Sequence, residues 1–320
     1  VGTDATSISK LFDDFVANSG SVILAHTIFM AINYFIIASG VKGLEKAVRF
    51  LMPGLLLLLF ILFLYSLTSG SFLDGVKFMF TPNFNALNWD GVLTAMGLAC
   101  FTLSIGMGAI MAYGAYLPQE TSITNATVSV VIADTGIAML AGLVIFPLVF
   151  ANGLNPGEGP DLVFKTLPLV FGQMQVGTFL ATIFFVLLSF AALTSALGLM
   201  EPAVAWMIES TEYTRKQCAA TIASIIWFLG LGSALSFNTM ADFKFLNGTI
   251  YENVDFLTSN IMLPLGAVFT TFFAAWIMSK NSTSEELDGH SLTYNIWRFL
   301  AKYFSPIAIL IIFLQAIGWI

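Results

Sequence analysis

Long apolar runs separated by short polar segments dominate the chain, and their lengths predict helices that cross a bilayer. A spanning helix needs about 20 mainly apolar residues. Eight stretches reach that length, at about residues 21–39, 50–68, 91–117, 125–150, 175–207, 218–236, 257–278 and 303–320. The 91–117 run is longer than one crossing requires, as a broken or tilted helix would be. The 175–207 run is long enough to project past the membrane. Segments 1–20, 69–90, 151–174 and 237–256 connect the runs on one side and carry turn signals such as TPNFN and NGLNPGEGP. They are too apolar and too patterned for disordered linkers.

Composition strengthens this picture. Apolar residues make up 58% of the 320 and charged residues only 10%, against about 25% charged in a soluble domain. The mean hydropathy is +0.88. This is an all-α membrane protein, a polytopic helical bundle whose first partner is the lipid bilayer. A net charge of −7 offers no basic patch for nucleic acid. Cys100 and Cys218 fall in or beside apolar runs and read as free thiols. The chain opens at Val1 without a positively charged signal-like segment, and reads as the carboxy-terminal part of a longer protein.

Loop charge sets the sidedness. Lys42, Lys46, Arg49, Arg215, Lys216, Lys280, Arg298 and Lys302 fall on one side; Lys10, Lys77, Lys165 and Lys244 fall on the other. The richer side is assigned to the cytoplasm, which leaves the C-terminus outside.

Candidate chemistry lies inside the apolar runs. CFTLSIGMGAIMAYGAY, Cys100 to Tyr116, carries Thr102, Ser104, Gly106 and Gly108 within seven residues. Each glycine costs a helix about 1 kcal/mol relative to alanine. Small residues of this kind serve close helix packing. They also serve a broken helix, whose freed carbonyls and half-helix ends hold Na+ and a zwitterion. AALTSALGLMEP holds the adjacent hydroxyls Thr194 and Ser195, which either ligate a hard cation or bond to their own i−4 carbonyls. Asp134, in VVIADTGIAMLAG, is a carboxylate mid-span, at a cost of about 2.5–3.5 kcal/mol on insertion scales; such groups mark ion or proton paths. Glu201 is a second intramembrane acid, suited to proton relay or to a structural hydrogen bond. Gly43 and Pro53 bracket the start of the 50–68 run, as an ordinary helix entry or as a segment able to unwind. His26 lies in the first run and His290 in a loop on the cytoplasmic side. No nucleophile–base set, P-loop or zinc-ligand spacing points to an enzyme.

These motifs in this order, with LVFKTLPLVF and DFLTSNIMLPLGA, resemble the neurotransmitter:sodium symporter family over nearly the whole chain. FTLSxGxGA together with LTSA is highly specific. The eight runs look like that family's helices 4 to 11, so residues 1–320 read as one partial transporter domain with helices 1 to 3 upstream. The resemblance is strongest to bacterial eleven-helix members that carry hydrophobic amino acids, whose fifth helix bears the Gly-X9-Pro spacing of Gly43 and Pro53.

The resemblance implies the inverted-repeat amino-acid/sodium symporter fold, with helix 6 broken at mid-membrane, and two Na+ sites. Thr102 and Asp134 match ligands of the first, and Ala191, Thr194 and Ser195 those of the second. Phe101, Thr102, Ser104, Met107, Ser195 and Leu199 match substrate-binding positions, Phe101 also closing over the substrate from outside. Asp255 matches the extracellular gate acid, Glu209 the cytoplasmic gate acid lengthened from Asp, and Tyr116 an aromatic of the cytoplasmic gate. Chloride-dependent relatives carry serine where this chain has Ala138, which implies chloride independence. Phe101, Met107, Ala196 and Leu199 make an apolar pocket for a neutral hydrophobic L-amino acid. The implied protein is a Na+-coupled symporter of a bacterial inner membrane, working by alternating access with Gly43–Pro53 as hinge. The alternative is a non-transporting amino-acid sensor on the same scaffold.

Overall fold

The computed structural model describes residues 12–85, 87–118, 120–154, 162–174, 176–246, 248–287 and 292–319. Lys10 and His290 lie outside the described residues. Among the described residues, seven helices are long and apolar enough to cross a membrane. They are α1 (Ser19–Ala38), α2 (Val41–Ser66), α6 (Ile123–Ala151), α8 (Gly177–Ser210), α9 (Arg215–Leu235), α10 (Ile250–Ile277) and α12 (Leu292–Ala316). Shorter helices are α3 (Phe72–Phe80), α4 (Trp89–Thr102), α5 (Ala109–Ala115), α7 (Leu167–Gln173) and α11 (Lys280–Glu286). The predicted 91–117 run is divided between α4 and α5, so neither half is long enough to span alone.

Two helix starts differ from the sequence reading in ways that matter. α2 begins at Val41 rather than near 50, so the expected 40–49 loop is helical and Gly43 and Pro53 both lie within a wound helix. Leu44, Glu45, Lys46 and Ala47 are good helix formers. Glu45 and Arg49 pair at 2.5 Å one turn apart, although both are exposed and add only a few tenths of a kcal/mol. α9 begins at Arg215 rather than near 218, behind a capping box in which Thr214 and Gln217 satisfy each other's backbone amides. That start brings an arginine into the helix, where the apolar pattern had placed none.

α10 and α12 also start earlier than expected and are not uniform. π-helical turns at Phe256–Met262 and Phe273–Ile277 interrupt α10, and one at Leu300–Phe304 interrupts α12. Each widens the turn by one residue, a form seen often at functional sites.

The chain forms two compact units. The first holds residues 1–82 and 136–243, the second 83–135 and 244–320; the chain passes from one to the other inside α6. In the first unit α2 buries Leu44, Leu51, Leu55, Leu59 and Leu62, a stripe at helical spacing. Leu59 and Leu62 join Leu148 and Val149 of α6, Val170 and Phe171 of α7, and Leu180 and Phe184 of α8 in one cluster. Lipid tails are as apolar as leucine, so dispersion and close fit hold such helices together. Gly54 permits this fit against the Phe190 ring, and Gly75 against the ring of Pro147.

Pro147 removes an amide that the Leu143 carbonyl would otherwise accept from. Ser66 Oγ, at the end of α2, donates to that carbonyl at 3.0 Å and to the Phe63 carbonyl at 2.8 Å. A buried oxygen with no water nearby is thereby satisfied by a neighbouring helix. Ser66→Ala is expected to destabilise the protein by about 1–3 kcal/mol, the usual cost of an unsatisfied buried acceptor. Thermal unfolding in detergent checks this.

Candidate functional site

The break between α4 and α5 is built by backbone conformation. Ser104 has φ +53°, Gly106 φ +87° and Gly108 φ +81°. The left-handed region is open to glycine and strained for serine. Three such residues within five positions cannot continue a right-handed helix. The Ile105 amide reaches back five residues to the Cys100 carbonyl at 3.0 Å, and the Met107 amide meets the Ser104 carbonyl at 3.4 Å. Among the described residues, the carbonyls of Thr102, Leu103, Ile105 and Gly106 accept no backbone hydrogen bond. These carbonyls lack a backbone donor in the middle of an apolar segment, the kind of oxygen that a broken helix offers to an ion or ligand.

The break is seated against α10. A Cβ on Gly106 would overlap the Leu263 carbonyl and the Ala267 amide, and a Cβ on Gly266 would overlap the Gly106 carbonyl. The two backbones touch directly. The sequence left Gly106 open between close packing and a break, and the structure shows both; Gly266 as its counterpart was missed. The only signal was a glycine inside PLGA, two residues past the proline that opens this α-helical stretch of α10.

The break also opens a cavity of about 640 Å³. Ser104, Ile105 and Gly106 line it together with Tyr113 of α5, Val130 and Val131 of α6, and Thr270 of α10. Asp134 sits one turn beyond Val130 on the same face of α6 and is half-buried. Among the described residues its carboxylate makes no hydrogen bond or ion pair. Thr102 is exposed at the end of α4, its hydroxyl 3.4 Å from the Ala99 carbonyl. Phe101 is half exposed and lines a second cavity of about 460 Å³ with Ser259 and Asn260 of α10. Met107 is half-buried within the break and lines neither cavity. Thr102, Ser104, Met107 and Asp134 therefore share the second unit.

The remaining expected ligands lie in the first unit. Thr194 Oγ1 donates to the Ala191 carbonyl at 2.9 Å and to the Phe190 carbonyl at 3.1 Å. That is the bond to its own helix that a lone hydroxyl adopts. It also places two oxygens, one hydroxyl and one carbonyl, within ligand distance of each other. Ser195 and Leu199 are exposed on α8, which is continuous through this stretch.

The gate candidates stand at helix ends. Glu209 is exposed in the last turn of α8. Asp255 ends the first α-helical part of α10, just before its π turn, with Ser259 Oγ 3.3 Å from its carboxylate. Tyr116 closes α5 as its C-cap.

Glu201, which the sequence left open between proton relay and hydrogen bonding, is fully buried and paired. Arg215 Nη2 donates to Glu201 Oε2 at 2.5 Å, and Arg215 Nε donates to the Ile37 carbonyl at the end of α1 at 2.9 Å. One guanidinium thus ties α8 and α9 to α1. Removing either partner of such a pair costs about 3–5 kcal/mol, because the other charge stays buried. Cys100 and Cys218 are both free thiols.

A helix broken in mid-span beside a cavity, with carbonyls left without backbone donors, is an architecture that membrane transporters use. The solved structure of MhsT in complex with L-phenylalanine superposes with a TM-score of 0.88 at 39% identity, covering 98% of this chain and 72% of that one. The uncharacterized sodium-dependent transporter YhdH of Bacillus subtilis (strain 168) is 35% identical across 99% of this chain and 71% of its own length. Sodium-dependent nutrient amino acid transporter 1 of Drosophila ananassae is 23% identical across 88% of this chain and 45% of its own. Residues 3–319 match the profile of the sodium:neurotransmitter symporter family, and the chain belongs to that family. Its members are sodium-dependent symporters rather than enzymes, and its fold is the one expected from the sequence.

Proposed function

We propose that this protein imports neutral hydrophobic L-amino acids by Na+-coupled symport. The observation that carries the reading is the Thr102–Gly108 break, whose carbonyls lack backbone donors and whose residues Ser104–Gly106 line a cavity, with Asp134 one turn beyond cavity-lining Val130 on α6. An amino acid presents one carboxylate and one ammonium. The freed carbonyls accept from the ammonium, and a Na+ held by Thr102 and Asp134 draws in the carboxylate. Ser104 lines the cavity there; Phe101, which lines the neighbouring cavity, and Met107 complete the pocket when the substrate binds. A second Na+ is held in the first unit by the Ala191 carbonyl and the Thr194 and Ser195 hydroxyls. Ions and substrate drive transport by binding one conformation better than the other. Gly43 and Pro53 are wound in this structure; their role in releasing the second ion requires α2 to unwind there in another state. The bound phenylalanine of MhsT, 39% identical, supports the substrate class. Its apolar flank discriminates weakly among similar side chains, so several hydrophobic amino acids share the site.

The test is uptake of radiolabelled phenylalanine and leucine into proteoliposomes of the full-length protein. External Na+ is expected to drive accumulation, and replacing it by K+ is expected to remove it. Equal uptake in both would refute the coupling. Gluconate in place of chloride is expected to leave uptake unchanged, since Ala138 brings no hydroxyl to a chloride position. Thr194→Ala is expected to raise the Na+ concentration for half-maximal uptake about tenfold.

A further inference from the structure

At one polar end of the second unit, cations stand on an aromatic floor. Lys302 Nζ lies 4.3 Å from the centroid of the Trp276 ring and 5.4 Å from that of Tyr303. Trp276 Nε1 donates to the Lys302 carbonyl at 3.2 Å, tying the second π turn of α10 to that of α12. One turn earlier on α12, Arg298 Nη1 donates to the Tyr294 hydroxyl at 3.0 Å and to Thr283 Oγ1 at 3.3 Å. Tyr294 is buried, and its hydroxyl donates to the Lys280 carbonyl at 3.3 Å. These bonds hold Lys280, Arg298 and Lys302 at the same corner. Among the described residues none of the three pairs with a carboxylate, although Glu285 and Glu286 are exposed on α11.

The flank of this corner is apolar and open. Phe272, Phe273, Ile277, Phe299 and Phe304 are exposed on α10 and α12, where a membrane protein meets acyl chains. Tryptophan and tyrosine favour the level of the headgroups. A lysine lying over a ring keeps the outer side of its ammonium free for an anion. Cations that pair with no carboxylate among the described residues, aromatics beside them and an exposed apolar flank match the parts of one molecule. We infer that this corner binds an anionic phospholipid, with Lys302, Arg298 and Lys280 on the phosphate of the headgroup and the chains along the α10–α12 wall. Basic clusters beside membrane helices recognise anionic headgroups in this way. The inference rests on the membrane-spanning fold and not on the transported substrate.

Native mass spectrometry of the intact, detergent-purified protein tests it, with phosphatidylglycerol and phosphatidylcholine as probes. Phosphatidylglycerol is expected to be retained preferentially. Lys280→Gln and Lys302→Gln are each expected to weaken it about fivefold, while Lys302→Arg keeps it and phosphatidylcholine is unaffected. Lys216→Gln, a lysine of the first unit, is expected to change nothing. The inference is overturned if the two lipids bind alike, if Lys216→Gln weakens binding as much as Lys302→Gln, or if equimolar inorganic phosphate displaces the lipid.

Discussion

Asp134→Ala is expected to abolish Na+-driven amino-acid uptake at millimolar Na+, while the protein still inserts and purifies. The carboxylate is half-buried on α6 and, among the described residues, has no hydrogen bond or ion pair, so its removal breaks nothing structural. Its value lies in what it attracts. Two opposite unit charges at 4 Å interact by about 4 kcal/mol at an effective dielectric constant of 20. Dehydration of both partners reduces this, leaving an expected loss of about 100-fold in Na+ affinity, near 2.8 kcal/mol. Asp134→Asn keeps an oxygen ligand and loses the charge, so it is expected to retain part of the affinity. Equilibrium Na+ binding, read by scintillation proximity or calorimetry, separates the three proteins. Wild-type affinity in Asp134→Ala would remove this residue from the ion site.

Gly106→Val is the second large effect, and it acts through the backbone. At φ +87° a β-branched residue pays the left-handed penalty of about 1–2 kcal/mol. Its Cβ also meets the backbone of Leu263 and Ala267, which cannot swing aside as a side chain could. Overpacking of this kind adds about 1–3 kcal/mol. Uptake is expected to fall to background and the melting temperature to drop. Gly70→Ala is the control: it has φ +80° with nothing near the added carbon, so only the conformational strain applies. The expected order of destabilisation is Gly106→Val, then Gly106→Ala, then Gly70→Ala. Thermal shift measurements on purified protein give that order directly.

How much of this was legible in the sequence follows from what each signal depends on. The spans were legible because hydrocarbon thickness imposes a length on apolar runs that no tertiary contact alters. The break was legible as an alternative, because glycines and hydroxyls at 102–108 weaken a helix locally, whatever surrounds them. Its seat was not. The contact of Gly106 with Gly266 joins positions far apart in the chain, and neither glycine names the other. Helix starts at Val41 and Arg215 were missed for a related reason. Hydropathy reports where lipid begins, whereas charged residues such as Glu45 and Lys46 wind well outside it. Glu201 stayed ambiguous because its partner Arg215 lay beyond the apolar run, and only the cap at Thr214 turns that arginine into the helix. The ligand candidates Thr194 and Ser195 were visible as a pair, but whether a hydroxyl faces its own helix is a rotamer, which composition does not encode.

The Ser66 bond to the Leu143 carbonyl has a consequence for alignment. α2 presents LLLLLF, a ladder of nearly interchangeable rungs that could slide one turn along α6 with little loss of dispersion. The oxygen exposed by Pro147 is not interchangeable. Any slippage strands it in hydrocarbon, so one proline and one hydroxyl, 81 positions apart by subtraction of 66 from 147, set the vertical position of two greasy rods that would otherwise have no preferred rung.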